Sequence, residues 1–170
     1  MALFRNVTGE DSTFIDNTPI LTQQMEKDLK PFRILIADDD FEDFLLIKNT
    51  FETSGPNVHL THVEDGQYLI DILKAQGKYN KFGELPNLIL LDLNMPRKNG
   101  FDVLKEIKEN PTLKKIPIII FTTSKASRDI DRAYELGANC YVSKPQTVEE
   151  WGEIIGLIGK FWGQCVRLPA

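Results

Sequence analysis

The stretch "RILIADDDFEDF", Arg33 to Phe44, decides the fold. Ile34 to Ala37 form an apolar run with no polar alternation, the pattern of a strand buried on both faces of a parallel sheet. The run ends on Asp38, Asp39 and Asp40, with Glu42 and Asp43 close behind. Two carboxylates about 4 Å apart repel by roughly 4 kcal/mol at an effective dielectric near 20. Something must compensate that repulsion, or the site must exist to use it.

Outward from this point the same alternation recurs. "VHLTHV" (58–63), "NLILLD" (87–92), "IPIIIFTT" (116–123) and "NCYVS" (139–143) read as four more strands, the first, third and fourth of the five being unbroken apolar runs. Amphipathic segments follow each, over 41–51, 67–75, 100–109, 126–136 and 148–161. The breakers "SGPN", "QGKYNKFGELP", "NPTLKKIP" and "ELGAN" separate the units. Five βα units joined by right-handed crossovers predict an α/β doubly wound parallel sheet with helices on both faces. In such folds ligands sit outside the carboxyl ends of the strands.

That rim collects the polar residues. Asp38 and Asp39 end the first strand, Asp92 the third and Thr122 the fourth, while Lys144 follows the fifth and precedes Pro145. Three carboxylates converging with a hydroxyl and an ammonium suit Mg²⁺ (or Mn²⁺), which takes a few carboxylates plus substrate phosphate. An aspartate beside such a cation is a candidate nucleophile toward phosphorus.

The segments "IADDD", "LILLDLNMPRKNG", "PIIIFTTS" and "GANCYVSKP" resemble the motifs of bacterial response regulator receiver domains of two-component signalling. The likeness runs from Arg33 to Phe161. The region "IKENPTLKKIPIIIFTTSKASRDIDRAYELGANCYVSKP" and the late "FWGQCVRLP" further resemble the stand-alone regulators that partner phytochrome kinases. The resemblance implies a flavodoxin-like fold with strand order 2-1-3-4-5 and a sensor histidine kinase as phosphoryl donor. It implies Asp92 as phosphoacceptor, Asp39 as direct metal ligand and Asp38 as the carboxylate that orients metal-bound water. The backbone carbonyl of Asn94 becomes the third protein ligand. Thr122 becomes the switch hydroxyl, Lys144 the phosphate-binding ammonium and Tyr141 the switch aromatic. Met95, Pro96 and Gly100 match the turn after the phosphorylated strand, and Lys144–Pro145 matches the family's cis peptide bond. Asn94 and Ser124, two residues beyond Asp92 and Thr122, are expected to set the lifetime of the phosphate.

Simpler readings stand beside these. Asp38 and Asp39 alone could be helix N-cap charges, Asp40 a plain cap, and Tyr141 a core aromatic. Thr123 is an alternative to Thr122, with the spacing to Pro117 favouring Thr122. His59 and His62 alternate on a strand without a third ligand and read as surface or packed histidines. A haloacid-dehalogenase-like phosphatase would want a second aspartate where Asn94 stands. A nucleotide- or flavin-binding domain would want glycines where "DDDFED" stands. The remaining alternative is a receiver-like interaction module that is never phosphorylated.

Composition narrows the class further. The 170 residues carry a net charge of −5, which offers no electrostatic footprint for nucleic acid. No apolar run approaches the roughly 20 residues of a membrane span. With two cysteines and no signal-peptide pattern, a cytoplasmic setting is expected. Residues 32–164 are expected to form the receiver domain, flanked by an extension over 1–31 with a short helix in "TPILTQQMEKDL", and by a tail over 165–170. Output is then expected through protein contact, since no DNA-reading helix follows. Trp151, Ile154, Ile155, Ile158, Phe161 and Trp162 form a wide apolar stripe, which predicts a homodimer through the fourth helix, fifth strand and fifth helix.

Overall fold

The computed structural model describes residues 31–54, 57–75 and 84–169. The expected helix in "TPILTQQMEKDL" lies outside them. Five strands alternate with five helices: β1 (Phe32–Ala37), α1 (Phe41–Ser54), β2 (Val58–Val63), α2 (Gly66–Lys74), β3 (Leu88–Leu91), α3 (Gly100–Glu109), β4 (Ile118–Thr122), α4 (Ser127–Glu135), β5 (Cys140–Ser143) and α5 (Val148–Lys160). A 3₁₀ turn, Leu113–Lys115, precedes β4, and a π turn, Phe161–Cys165, follows α5.

All strand pairs are parallel, in the order β2-β1-β3-β4-β5. This is the flavodoxin-like receiver order that the resemblance implied. The three central strands are the three unbroken apolar runs. Each residue of β3 and β4 is buried, because helices cover the sheet on both sides. The edge strands β2 and β5 are mostly half-buried, and β2 carries the polar His59, Thr61 and His62.

The pleat sends alternate side chains into two separate apolar layers. Leu35, Ala37, Ile89, Leu91, Ile118 and Ile120 pack with α2, α3 and Ala133 of α4. Ile34, Ile36, Leu88, Leu90, Ile119 and Phe121 pack with Ile47 and Phe51 of α1 and with Trp151, Ile155 and Ile158 of α5. Trp151 meets Phe121 edge-on at 5.2 Å between ring centroids. The α5 stripe thus divides: Trp151, Ile155 and Ile158 are buried, Ile154 and Trp162 half-buried, and Phe161 exposed.

Short polar side chains start the helices. Asp40 accepts from Glu42 N–H at 2.9 Å, Asp65 from Tyr68 N–H at 2.7 Å, Asn99 from Asp102 N–H at 3.0 Å and Thr147 from Glu150 N–H at 3.3 Å. Helix α4 is the least anchored of the five, with Ala133 its one buried residue. It is also tied by the Arg132 guanidinium, 4.1 Å over the Phe101 ring, and by a polar contact from Asp129 described below.

Candidate functional site

Strand order reverses beside β1, so the crevice opens outside the carboxyl ends of β1 and β3. Three ladder bonds extend the sheet one residue past its strands. Asp38 N–H donates to Val63 O at 3.0 Å, Asp92 N–H to Ala37 O at 2.9 Å and Lys144 N–H to Thr122 O at 2.7 Å. Each bond fixes the first residue beyond a strand. The sheet therefore delivers Asp38, Asp92 and Lys144 to one rim, with Ala37, Leu91 and Leu93 beside them buried in the core.

Asp38, Asp39 and Asp92 each offer an oxygen, and these atoms lie within 4.8 Å of one another. Asp38 and Asp92 are buried and Asp39 is exposed. The Lys144 ammonium, itself buried, lies 2.8 Å from Asp38 Oδ2, 2.8 Å from Asp43 Oδ2 and 3.7 Å from Asp92 Oδ1. Its charge offsets part of the repulsion within the acidic cluster. An oxygen donor set around one rim, open on the Asp39 side, suits a hard divalent cation of the Mg²⁺ or Mn²⁺ type.

Burial dominates the titration of Asp38 and pushes its carboxyl up to about 6. The hydrogen bond and charge of Lys144 pull the other way, as does the Asp40 N–H at 3.1 Å, while Asp92 adds repulsion. For Lys144, burial opposes the charged form. The hydrogen bonds to Asp38 and Asp43 and the nearby negative charge outweigh it, leaving the ammonium more basic than an ordinary lysine.

Asn94 N–H donates to Asp92 Oδ2 at 2.8 Å, which holds the Asn94 backbone against that carboxylate. The turn is tight: a Cβ on Gly100 would lie 2.2 Å from Asp92 O and 2.8 Å from Leu93 Cα. Thr122 is fully buried, and its hydroxyl is the one buried side-chain oxygen or nitrogen without a hydrogen-bond partner among the described residues. Such a group costs about 1–3 kcal/mol unless something binds it. Thr123, the alternative, is exposed. Tyr141 packs partly against the α2–α4 layer, and its hydroxyl donates to Ser124 O at 3.1 Å. Ser124 Oγ donates to Asp129 Oδ2 at 2.6 Å, which ties the loop after β4 to the first turn of α4.

One implied feature is corrected: the described residues contain no cis peptide bond, so Lys144–Pro145 is trans. Trans is the lower-energy isomer of X–Pro by about 0.5–1 kcal/mol, and the Lys144 ammonium reaches the rim in that geometry. The sequence reading passed over one role, that of Asp43. Asp43, in the first turn of α1, turns its carboxylate to the Lys144 ammonium at the same rim. His62 Nε2 lies 2.8 Å from Asp38 O, and its ring stacks on Phe44 at 4.5 Å. It is a packed histidine that braces the end of β1. The sequence reading of His62 as a surface or packed histidine agrees with this.

The fold and rim define a phosphoryl-accepting signalling domain, and comparison with known proteins agrees. The response regulator receiver domain family matches residues 34–155. The chain belongs to that family, whose members accept a phosphoryl group in two-component signalling with sensor histidine kinases. Response regulator Rcp1 of Synechocystis sp. is 40% identical over 140 residues, covering 82% of this chain and 95% of that protein. The crystal structure of the Mn²⁺-bound form of Rcp1 matches with a TM-score of 0.75 over 82% of this chain and 100% of that one. The phosphorylated cyanobacterial phytochrome response regulator RcpA matches at 35% identity with a TM-score of 0.77, over 83% and 100% of the two chains. No helix among the described residues is long and apolar enough to cross a membrane.

Proposed function

We infer that Asp92 is the phosphoacceptor of a receiver domain spanning 32–164, and that a phytochrome-type histidine kinase supplies the phosphoryl group. One observation carries the reading: a buried ammonium, Lys144, stands 3.7 Å from the Asp92 carboxylate within the Asp38–Asp39–Asp92 set. A bound Mg²⁺ or Mn²⁺, held by Asp38, Asp39, Asp92 and the Asn94 carbonyl, supplies neutralising charge for the phosphoryl oxygens. Asp92 Oδ attacks phosphorus in line as the bond to the donor's histidine nitrogen breaks, and Lys144 takes one phosphoryl oxygen. The buried Thr122 hydroxyl, otherwise unpartnered, donates to another. That motion draws the loop after β4 inward and, through the Tyr141–Ser124 and Ser124–Asp129 hydrogen bonds, biases the weakly anchored α4. Asn94 and Ser124, two residues beyond Asp92 and Thr122, govern water access to phosphorus and hence the phosphate lifetime.

The phytochrome assignment is supported by the likeness to Rcp1 and RcpA. Output passes by protein contact in the cytoplasm, and the face of α4, β5 and α5 serves a homodimer. Tyr134, Val148, Leu157 and Phe161 leave apolar surface exposed on those elements and the turn beyond. The test is incubation with acetyl phosphate and Mg²⁺ followed by intact mass. One phosphoryl adduct, absent in Asp92→Ala, is expected. The absence of any adduct on the native chain favours the reading as an unphosphorylated interaction module.

A further inference from the structure

Asp43 belongs to the first turn of α1, where an acidic side chain ordinarily serves the helix dipole. Here its carboxylate turns to Lys144 instead, at the same 2.8 Å as Asp38. The two anchors differ in one respect. Asp38 shares a candidate metal set with Asp39 and Asp92, and Asp43 does not. A cation bound in that set competes with Lys144 for Asp38 and leaves Asp43 uncontested. Without Asp43, the ammonium has only Asp38 and Asp92 to pair with, and both are needed by the cation.

We propose that Asp43 is a positioning residue of the phosphoryl site, the dedicated counter-charge that keeps the Lys144 ammonium beside Asp92 without taking a metal ligand. The proposal rests on the reading of Asp92 as phosphoacceptor and deepens it. Asp38, Asp39, Asp43 and Asp92 share this rim with one ammonium, so a divalent cation still leaves one negative charge uncompensated. Asp43 thereby keeps a buried lysine charged and placed without cancelling the attraction for Mg²⁺. It acts through Lys144 and touches neither phosphorus nor metal.

A double-mutant cycle on the full chain tests this: native protein, Asp43→Ala, Lys144→Ala and the double variant, with Asp43→Asn as the isosteric neutral form. Two quantities are read, the Mg²⁺ dissociation constant by calorimetry and the rate of phosphoryl uptake from acetyl phosphate at several donor concentrations. In that uptake the phosphorus–oxygen bond to acetate breaks as the Asp92 oxygen–phosphorus bond forms, and acetate leaves. With Lys144 present, Asp43→Ala raises the Mg²⁺ dissociation constant and the half-saturating donor concentration about tenfold, within the usual range of coupling between contacting charges. Asp43→Asn, which keeps an acceptor but loses the charge, falls between. In the Lys144→Ala background, removing Asp43 changes either quantity by less than about twofold. Equal effects in both backgrounds, or none with Lys144 present, overturn the proposal. Thermal midpoints identify any variant that fails to fold, and Asp43→Asn then completes the cycle. If native protein takes up no phosphoryl group, the Asp92 reading fails, while the Mg²⁺ cycle still decides the role of Asp43.

Discussion

At Asp38 a carboxyl with 2% of its surface exposed titrates near 6, because burial disfavours its charge more than Lys144 favours it. The sign of the consequence is set by the proton. Between the ordinary value of 3.8 and about 6 the folded protein holds a proton that the unfolded chain has lost. Without metal, ionising Asp38 as pH rises through this window therefore costs stability, on the order of 2–3 kcal/mol. A cation needs the ionised form. Mg²⁺ affinity should be flat above pH 7 and weaken toward tenfold per pH unit below about 6, as calorimetry from pH 8 to 5 will show. Thr122 gives an independent prediction. Its buried hydroxyl lacks a partner, so Thr122→Val should stabilise the unphosphorylated protein by roughly 1 kcal/mol in urea unfolding, while removing the hydroxyl proposed to answer the phosphate. Ser124 stands close by, and exchange for a bulky or acidic residue should alter the half-life of the phosphorylated form.

At the scale of elements, close approaches set the tolerances. Gly100 opens α3 against the carbonyl of Asp92, and a methyl group there meets backbone at 2.2 Å. Gly100→Ala should cost about 2 kcal/mol or more and weaken Mg²⁺ binding as well, because relief of the clash must shift the strand end that carries Asp92. Gly159→Ala provides the contrast. Its added Cβ meets Phe51 Cε1 at 2.5 Å, between α1 and α5. It should lower the unfolding midpoint and leave Mg²⁺ affinity unchanged. The strands and the rim were legible in sequence because a parallel sheet demands unbroken apolar runs, and each run here stops on the residue it presents. Ile34 to Ala37 before Asp38, and Leu88 to Leu91 before Asp92, are the plainest cases. What was not legible depends on rotamers and partners rather than periodicity. Asp43 looked like an ordinary first-turn acid, because nothing local says that its carboxylate faces a lysine about 100 residues away. The Ser124–Asp129 bond and the trans bond before Pro145 are hidden for the same reason. The division of the α5 stripe was half visible: spacing marks which residues share a face, but the extra width that leaves Leu157 and Phe161 exposed emerges only once the sheet has taken its share.

Across the whole molecule, the apolar surface left on α5 and the following turn bears on assembly. Replacing Leu157 and Phe161 together with serine should leave the unfolding midpoint within about 0.5 kcal/mol of native, as for exposed positions generally. The same change should convert a dimer to a monomer in light scattering, if α4, β5 and α5 form the interface. A further consequence follows from the two apolar layers on either side of the sheet. Along β5, Cys140 and Val142 enter the layer shared with α1 and α5, whereas Tyr141 enters the opposite one with α4. The sheet thus acts as a partition between two rooms. A face built from α4, β5 and α5 therefore draws on both rooms at once, and β5 is the wall they share.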